Sequence, residues 1–195
     1  MRLTIERMTY GPDAIAHTQE GKTVFVSGAI AGDVVEAELV SDGKSFSKAR
    51  ATAVLEPSPA RVGCDWPLAS VLGCAPWAAM AYDAQLEAKR ANVVDALARV
   101  GHLADAEQLV RPCEAPGSPW RYRNKAELAF VRDGRRATLG MHALDGTSVI
   151  RVEDFPLLDT PAKGPASRIV MLVQSSKARS HSLSKVQSSR VTWSM

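Results

Sequence analysis

The first 59 residues alternate apolar and polar side chains in short runs, the pattern of β-strands that bury one face. The runs that predict strands are residues 3–8, 22–26, 34–40 and 47–55. Turn residues separate them at 10–13 and 31–33, and Asp42-Gly43 predicts a hairpin. Pro57 and Pro59 end the last strand, because proline cannot continue a sheet ladder. Four or five short strands with no helix between them predict a small closed barrel, since closure removes exposed strand edges.

One later segment has the period of an amphipathic helix. Its apolar residues recur on one face of a 3.6-residue period and are Leu86, Val93, Val94, Leu97 and Val100. The spacing predicts a helix over residues 83–100, with Asp83 as its N-cap and Gly101 as its C-terminal stop.

Beyond residue 112 the β pattern returns. Runs at 126–131, 137–141 and 148–152, separated by Asp-Gly turns, predict an antiparallel segment. The 31 residues from Pro165 onward contain nine serines and little periodicity, which predicts a poorly ordered tail. The chain is therefore predicted to be mainly β with some α. We divide it into a barrel at 1–58, a linker with a helix at 59–111, a partial antiparallel β domain at 112–159 and a basic tail at 160–195.

Composition narrows the class of protein. The chain has 195 residues, of which 46% are hydrophobic and 23% charged, as in soluble globular proteins. The three cysteines are an odd number and no signal peptide precedes them, so we expect a reduced, cytoplasmic protein. The uncharged stretch at 66–82 contains prolines and is too short to span a bilayer, so no membrane association is expected.

Charge is unevenly distributed along the chain. Residues 1–159 hold 18 Lys and Arg against 21 Asp and Glu, whereas the last 36 residues hold six basic residues and no acidic ones. Two basic strips stand out within the folded part: Lys44, Lys48 and Arg50 near the predicted hairpin, and Arg121, Arg123 and Lys125 before the second β segment. Such strips can neutralise the phosphates of a polyanion, or can simply be solvated charged faces.

Several sequence stretches, in order, carry a family resemblance. They are residues 5–16 (IERMTYGPDAIA), 24–33, 54–62, 82–90 (YDAQLEAKR), 122–127 (YRNKAE), 139–142 and 154–158. Together they resemble the bacterial RNA (uracil-5-)-methyltransferase family, whose members begin with an OB-like TRAM barrel. The resemblance covers about 155 residues and implies RNA, either rRNA or tRNA, as the partner. From the placement of their charges, we expect the two basic strips to contact this RNA. We expect a monomer.

The resemblance also implies a chemistry that these residues do not carry. Members of the family use S-adenosylmethionine and a cysteine thiolate that adds to a flipped uracil, and the cofactor needs an α/β domain of well over about 100 residues. Only 36 residues follow Asp159, with no cysteine and no glycine-rich strand-to-helix turn. We therefore expect RNA binding by the N-terminal part of such an enzyme, without its catalytic domain, without catalytic residues and without a bound cofactor.

Many members of the family also hold a four-iron four-sulfur cluster on four cysteines. By the resemblance, Cys64 matches the first ligand, the second falls near Ser70 or Leu72, and the third is Cys74 or Ala75. Phe155 stands where the fourth cysteine is expected, and Cys113 lies outside the pattern. We therefore expect no cluster and no other metal.

Two alternatives remain open on the sequence. The chain can be a free-standing RNA-binding or chaperone-like module. It can also be an inactive truncated remnant, in which the change of composition after about Pro165 reflects a frameshift.

Overall fold

The computed structural model describes residues 1–64, 66–115, 117–123, 127–133, 136–144, 147–152, 155–157 and 191–192. The chain divides into two compact units, residues 1–117 and 118–195. The predicted barrel and the predicted linker with its helix share the first unit. Within the described ranges, no helix combines the length and apolar character that crossing a bilayer requires.

The first unit contains a six-stranded sheet. Its strands are β1 (Arg2–Thr4), β2 (Arg7–Met8), β3 (Ala14–His17), β4 (Thr23–Ser27), β5 (Val34–Asp42) and β6 (Phe46–Glu56). They lie in the order β1-β5-β6-β4-β3-β2, with all neighbours antiparallel except the parallel pair β4 and β6.

The two edge strands of this sheet are consecutive in the chain, which closes the sheet into a barrel. At the junction the Ile5 N–H donates to the Asp33 carbonyl, next to β5, and the Glu6 N–H donates to the Ile15 carbonyl in β3, both at 2.8 Å. The predicted strand at 3–8 is thus split because it changes partner at Ile5. The predicted OB-like barrel in a mainly β fold is confirmed.

The alternation predicted for the strands sets the barrel core. The barrel core includes Val24 and Val26 of β4, Val35 of β5 and Ala49 of β6. In β4 and β6 the neighbouring positions Phe25, Lys48 and Arg50 lie on the opposite side of the sheet. The sequence pattern did not predict β3. Three of its four residues are buried in succession, so it has no period of two.

The predicted helix is present as α1 (Tyr82–Arg99), followed by the short α2 (Ala106–Leu109). The predicted N-cap is wrong: Ala81 occupies that position and Asp83 lies in the first turn, where its charge complements the helix dipole. Gly101 follows the helix as predicted, because a Cβ there would lie 2.7 Å from the Leu97 carbonyl oxygen. The left-handed residue that turns the chain is His102, with φ 53°.

The predicted apolar face of α1 is not the face that meets the barrel. Ala84 and Ala88 pack against the barrel core, and the Asn92 Nδ2 donates to the Thr9 carbonyl at 3.1 Å. Val100, assigned to the buried face by its spacing, is 79% exposed. Small side chains let the helix backbone approach the barrel closely, and they carry little weight in a hydrophobic pattern.

A buried carboxylate joins the barrel to the segment that follows it. Asp33 is fully buried, and each of its two carboxylate oxygens accepts two hydrogen bonds. Oδ1 accepts from the Ser58 N–H at 2.9 Å and the Arg61 Nε at 3.0 Å, and Oδ2 accepts from the Ile30 N–H at 2.9 Å and the Arg61 Nη2 at 2.5 Å. Burial raises the pKa of Asp33, but the hydrogen bonds from Arg61 and the two N–H groups outweigh it, and the net pKa is lowered.

The neighbouring glycine allows this junction to form. Gly32 has φ +87°, and a Cβ there would lie 2.7 Å from the Ser58 Oγ. From Ser58 the chain continues to residues 60–62, which pair with residues 79–81: the Val62 N–H donates to Ala79 and the Ala81 N–H donates to Ala60. This pairing places Met80 in the barrel core.

The second unit contains a four-stranded antiparallel sheet. Its strands are β7 (Glu127–Asp133), β8 (Arg136–His142), β9 (Val149–Arg151) and β10 (Val191–Thr192), in the order β10-β7-β8-β9. The three predicted strands are confirmed as β7 to β9, whereas both predicted Asp-Gly turns reach outside the described residues. Of the tail predicted to be poorly ordered, residues 160–190 and 193–195 also lie outside them, and Val191–Thr192 pair with β7.

We expect Asp33→Asn to lower the free energy of unfolding by about 2–4 kcal/mol, because the amide would turn an N–H donor toward groups that are themselves donors. The loss should depend on pH. The folded pKa lies below the unfolded value near 4, so the stability that the carboxylate contributes is present above about pH 4 and is lost as the pH falls through the folded pKa.

Urea unfolding followed by circular dichroism between pH 3 and 7 measures both effects. The gap between wild type and Asp33→Asn should narrow toward pH 3. Asp42→Asn is the matched control, since its carboxylate is exposed, and it should have a much smaller effect at pH 7. Equal losses for the two variants would contradict the role given to Asp33.

Candidate nucleic-acid interface

The barrel positions the first basic strip on the outer face of β6. Lys48 and Arg50 alternate with the buried Ser47 and Ala49, so both point outward, about 7 Å apart along the strand. Lys44 is exposed in the turn between β5 and β6. The structure therefore places all three predicted residues on one strand and the turn that leads into it.

The hairpin that carries Lys44 is held by paired charges at its base. Ser47 Oγ donates to Asp42 Oδ1 at 2.6 Å, and the Lys22 ammonium donates to the same oxygen. The hydrogen bond from Lys22 and, to a smaller extent, the one from Ser47 lower the pKa of Asp42. Lys22 is thus occupied within the barrel.

The three residues of the strip differ in their partners. Arg50 Nη2 lies 3.2 Å from Glu38 Oε2 across the β5–β6 pair, and both side chains are largely exposed. Exposed ion pairs contribute little free energy, so Arg50 can exchange Glu38 for another anion. Lys44 and Lys48 have no carboxylate partner within the described part of the chain. They are the two most available cations of the strip.

The strand order also gives a position in the barrel to the turn at residues 10–13, which the sequence pattern identifies only as a separator between strands. With β1 and β2 counted as one strand, the barrel has the five-stranded OB order, in which the loops between the first and second and the fourth and fifth strands contact nucleic acid. Lys44 lies in the latter loop. Tyr10 lies in the former and is 91% exposed. Gly11 and Pro12 follow Tyr10 and mark the segment as a turn, so the sequence alone does not distinguish Tyr10 as a binding residue.

The loop that carries Tyr10 is fixed by the segment after the barrel. Trp77 Nε1 donates to the Gly11 carbonyl at 3.0 Å, and Asn92 of α1 holds the Thr9 carbonyl. Trp77 also packs against the barrel core. Its indole therefore has a structural role, and Tyr10 is the exposed aromatic residue of this loop.

In the second unit, the structure describes two of the three predicted residues. The Arg121 N–H donates to the Pro156 carbonyl and the Arg123 N–H to the Leu157 carbonyl, both at 2.8 Å. Arg121 has a left-handed φ of 59°, and the Arg123 guanidinium lies 5.7 Å from the centre of the exposed Tyr122 ring. Lys125 lies outside the described residues.

The cysteine positions do not form a four-thiolate site. Cys64 Sγ donates to the Trp66 carbonyl at 3.4 Å, and no disulfide joins Cys64, Cys74 or Cys113. Leu72 and Phe155, at positions where the family resemblance implies ligands, are apolar and buried. Among the described residues, no three His, Cys, Asp or Glu side chains lie close enough to hold a metal ion. The side chains present do not fit a four-iron cluster.

Comparison with known proteins points in one direction. The TRAM domain model matches residues 1–52. Proteins named uncharacterized RNA methyltransferase, from Gloeobacter violaceus and Listeria innocua, are 33% and 32% identical over 157 and 154 residues, which is 80% and 78% of this chain. The 23S rRNA (uracil(1939)-C(5))-methyltransferase RlmD of Shewanella denitrificans is 26% identical over 162 residues, or 82% of this chain.

These matches cover only part of each relative. The chain spans 34%, 33% and 35% of the three proteins, or about a third of their length. The crystal structure of the Pyrococcus abyssi tRNA (uracil-54, C5)-methyltransferase with S-adenosyl-L-homocysteine aligns with a TM-score of 0.51 and 20% identity. The alignment covers 82% of this chain and 33% of the Pyrococcus abyssi chain. At 20% identity it shows only that the two folds are alike.

We expect the purified chain to be colourless and iron-free after anaerobic reconstitution with iron and sulfide. Two thiolates near residues 64–74 cannot complete the coordination of a four-iron cluster. Iron analysis together with the visible absorption spectrum measures this. About four irons per chain with a charge-transfer band would show that ligands other than the expected cysteines complete the site.

Proposed function

The chain belongs to the RNA (uracil-5-)-methyltransferase family, and on this premise we propose that its barrel binds RNA through the outer face of β6 and the β5–β6 turn. The observation that carries the proposal is the placement of Lys44 and Lys48. Lys44 is exposed in the β5–β6 turn and Lys48 is exposed on β6, and within the described residues neither is neutralised by a carboxylate. Arg50 extends the strip, because breaking its exposed ion pair with Glu38 to bind a phosphate costs little free energy.

The proposed binding is local and depends on phosphate contacts. Residues 1–56 hold six basic and eight acidic residues, so the barrel as a whole does not attract a polyanion. Attraction must arise where cations are grouped and acids are engaged elsewhere, as Asp33 and Asp42 are. A few phosphate contacts give weak affinity that falls steeply as salt is raised.

We propose that Arg121, Arg123 and Lys125 form a second contact on the other unit. Exposed Tyr122 lies between the two arginines in sequence, and an aromatic ring among cations is a common arrangement at RNA surfaces. The competing account is structural: the backbone of Arg121 and Arg123 pairs with residues 156 and 157, which ties this segment into the second unit. Replacing the three side chains by glutamine separates the two, because only an RNA contact changes the salt dependence of binding.

Within the family, we propose that these residues present RNA to a methyl-transferring site that they do not themselves contain. The relatives named as methyltransferases are about three times as long as the stretch matched here. A free-standing RNA-binding module remains the alternative. We also propose that the chain works as a monomer and that it works in the reducing cytoplasm. The second of these is supported by three cysteines with no disulfide between them.

We expect the affinity for single-stranded RNA to fall with salt, and Lys48→Gln to make the slope of log affinity against log salt shallower by about 0.7, the value for one phosphate contact. The double variant Lys44→Gln, Lys48→Gln should change it by about twice that. Fluorescence anisotropy of a labelled oligonucleotide between 25 and 200 mM salt measures the slope.

Lys89→Gln is the matched control for the single variant. It removes the same charge from the same unit, but Lys89 lies on α1 against the Tyr82 ring, outside the proposed interface. It should leave the slope unchanged. Equal slopes for wild type and the double variant would remove the β6 strip from the RNA site.

We expect these 195 residues by themselves to transfer no methyl group from labelled S-adenosylmethionine to unmodified rRNA or tRNA. Uracil methylation requires a cofactor fold and a cysteine nucleophile, and the cysteines here lie at residues 64, 74 and 113, outside any such fold in the described ranges. Scintillation counting of precipitated RNA measures transfer. Counts above a no-protein control that disappear in a Cys64→Ser, Cys74→Ser or Cys113→Ser variant would overturn this part of the proposal.

A further inference from the structure

Two phenylalanines form a pair on the outer face of the barrel. Phe25 of β4 and Phe46 of β6 have ring centres 5.4 Å apart and ring planes at 85°, an edge-to-face contact. Phe46 is 43% exposed and Phe25 is half-buried. The neighbouring Val24, Val26 and Ala49 fill the core, so this pair occupies the opposite side of the sheet.

The pair lies beside the cations of the basic strip. In the parallel register of β4 and β6, Thr23 is opposite Phe46 and Phe25 is opposite Lys48. Lys48 is two residues beyond Phe46 on the same face of β6, and Lys44 is two residues before it in the turn. Lysines thus flank an exposed ring on both sides along the chain.

We propose that Phe25 and Phe46 form a stacking platform for an unpaired nucleobase, with Lys48 and Lys44 holding the phosphates on either side of that nucleotide. The inference rests on the proposed function and adds to it a direct contact with a base, which requires single-stranded or loop RNA whose bases are unstacked. A duplex hides its base faces and can engage only the lysines.

The edge-to-face geometry suits this role. The contact fixes the two rings against each other, so a stacking base orders few additional torsions. Partial exposure of Phe46 leaves aromatic surface for the base, while the buried part of the pair anchors it on the sheet. A ring that served only to cover the barrel would not need cations on both sides, and an apolar protein partner would leave Lys44 and Lys48 to be desolvated without a counter-charge.

The experiment compares three labelled RNA probes with the full 195-residue chain. They are a ten-nucleotide single strand, the same strand with abasic sites in place of its bases, and a duplex of the same length. The wild-type chain should bind the intact strand about 5- to 150-fold more tightly than the abasic strand, the range expected for stacking of one base. The salt slopes for the two strands should be equal, because their phosphates are the same.

The variants Phe46→Leu and Phe46→Tyr locate the effect. Phe46→Leu keeps an apolar side chain but removes the ring, so it should bind the intact strand no better than wild type binds the abasic one, at an unchanged salt slope. Phe46→Tyr keeps the ring and should retain the preference. Thermal unfolding of each variant by circular dichroism shows which of them is folded at the assay temperature, and the comparison of strands with wild type does not depend on any variant folding.

Two results would overturn the inference alone. One is equal affinity of the wild type for intact and abasic strands, with a salt slope that still responds to Lys48→Gln. The other is a preference for the intact strand that Phe46→Leu retains, which would place stacking elsewhere. The absence of salt-dependent binding of any probe to the wild type would overturn the proposed function and this inference with it.

Discussion

The barrel depends on the ionised carboxylate of Asp33, which precedes β5 and binds the segment that follows β6. A carboxylate removed from water is costly unless donors replace the solvent. Here four donors do so, two from the Arg61 guanidinium and two from backbone N–H groups. The same residue accepts the Ile5 N–H through its carbonyl. One residue therefore holds the N-terminal strand of the barrel and binds Ser58, 25 residues further along the chain, where the segment after the barrel begins.

This junction determines what the rest of the first unit can do. Once Ser58 and Arg61 are fixed, residues 60–62 pair with 79–81 and deliver Met80 to the core. The same path brings Trp77 and Asn92 to the loop at Thr9 and Gly11. One side of the barrel is thereby engaged by the following segment. None of these contacts involves Lys48 or Arg50, which are exposed on the outer face of β6.

The sequence predicted those parts of the fold in which burial follows a period. Strands β4, β5 and β6 have one buried face, and their alternation also placed Lys48 and Arg50 on one surface. Strand β3 escaped prediction because three successive residues are buried. The packed face of α1 was assigned wrongly because Ala84 and Ala88 meet the core, and alanine contributes little to an apolar pattern.

The candidate site could not be predicted in full, because it depends on contacts between residues far apart in the sequence. Asp33 lies in an Ala-Gly-Asp turn that is sufficient to explain an aspartate locally, and Arg61 is 28 residues away. Only the cross-strand register shows that Glu38 engages Arg50, and only the parallel pairing of β4 with β6 brings Phe25 against Phe46. Residue types and their spacing identified the cations, but not which of them are already neutralised.

The distribution of charge constrains how a barrel of this kind can recognise RNA. With more acidic than basic residues in its first 56 positions, it gains no long-range attraction, and beyond about 10 Å at moderate salt each cation is screened. Phosphate contacts from two lysines can therefore orient a strand without holding it for long. Interactions with the bases must supply the remaining affinity, and these favour RNA that is already unpaired. A surface in which a partly exposed aromatic pair lies beside two lysines satisfies both requirements, and it does so with side chains on the side of the sheet opposite the core.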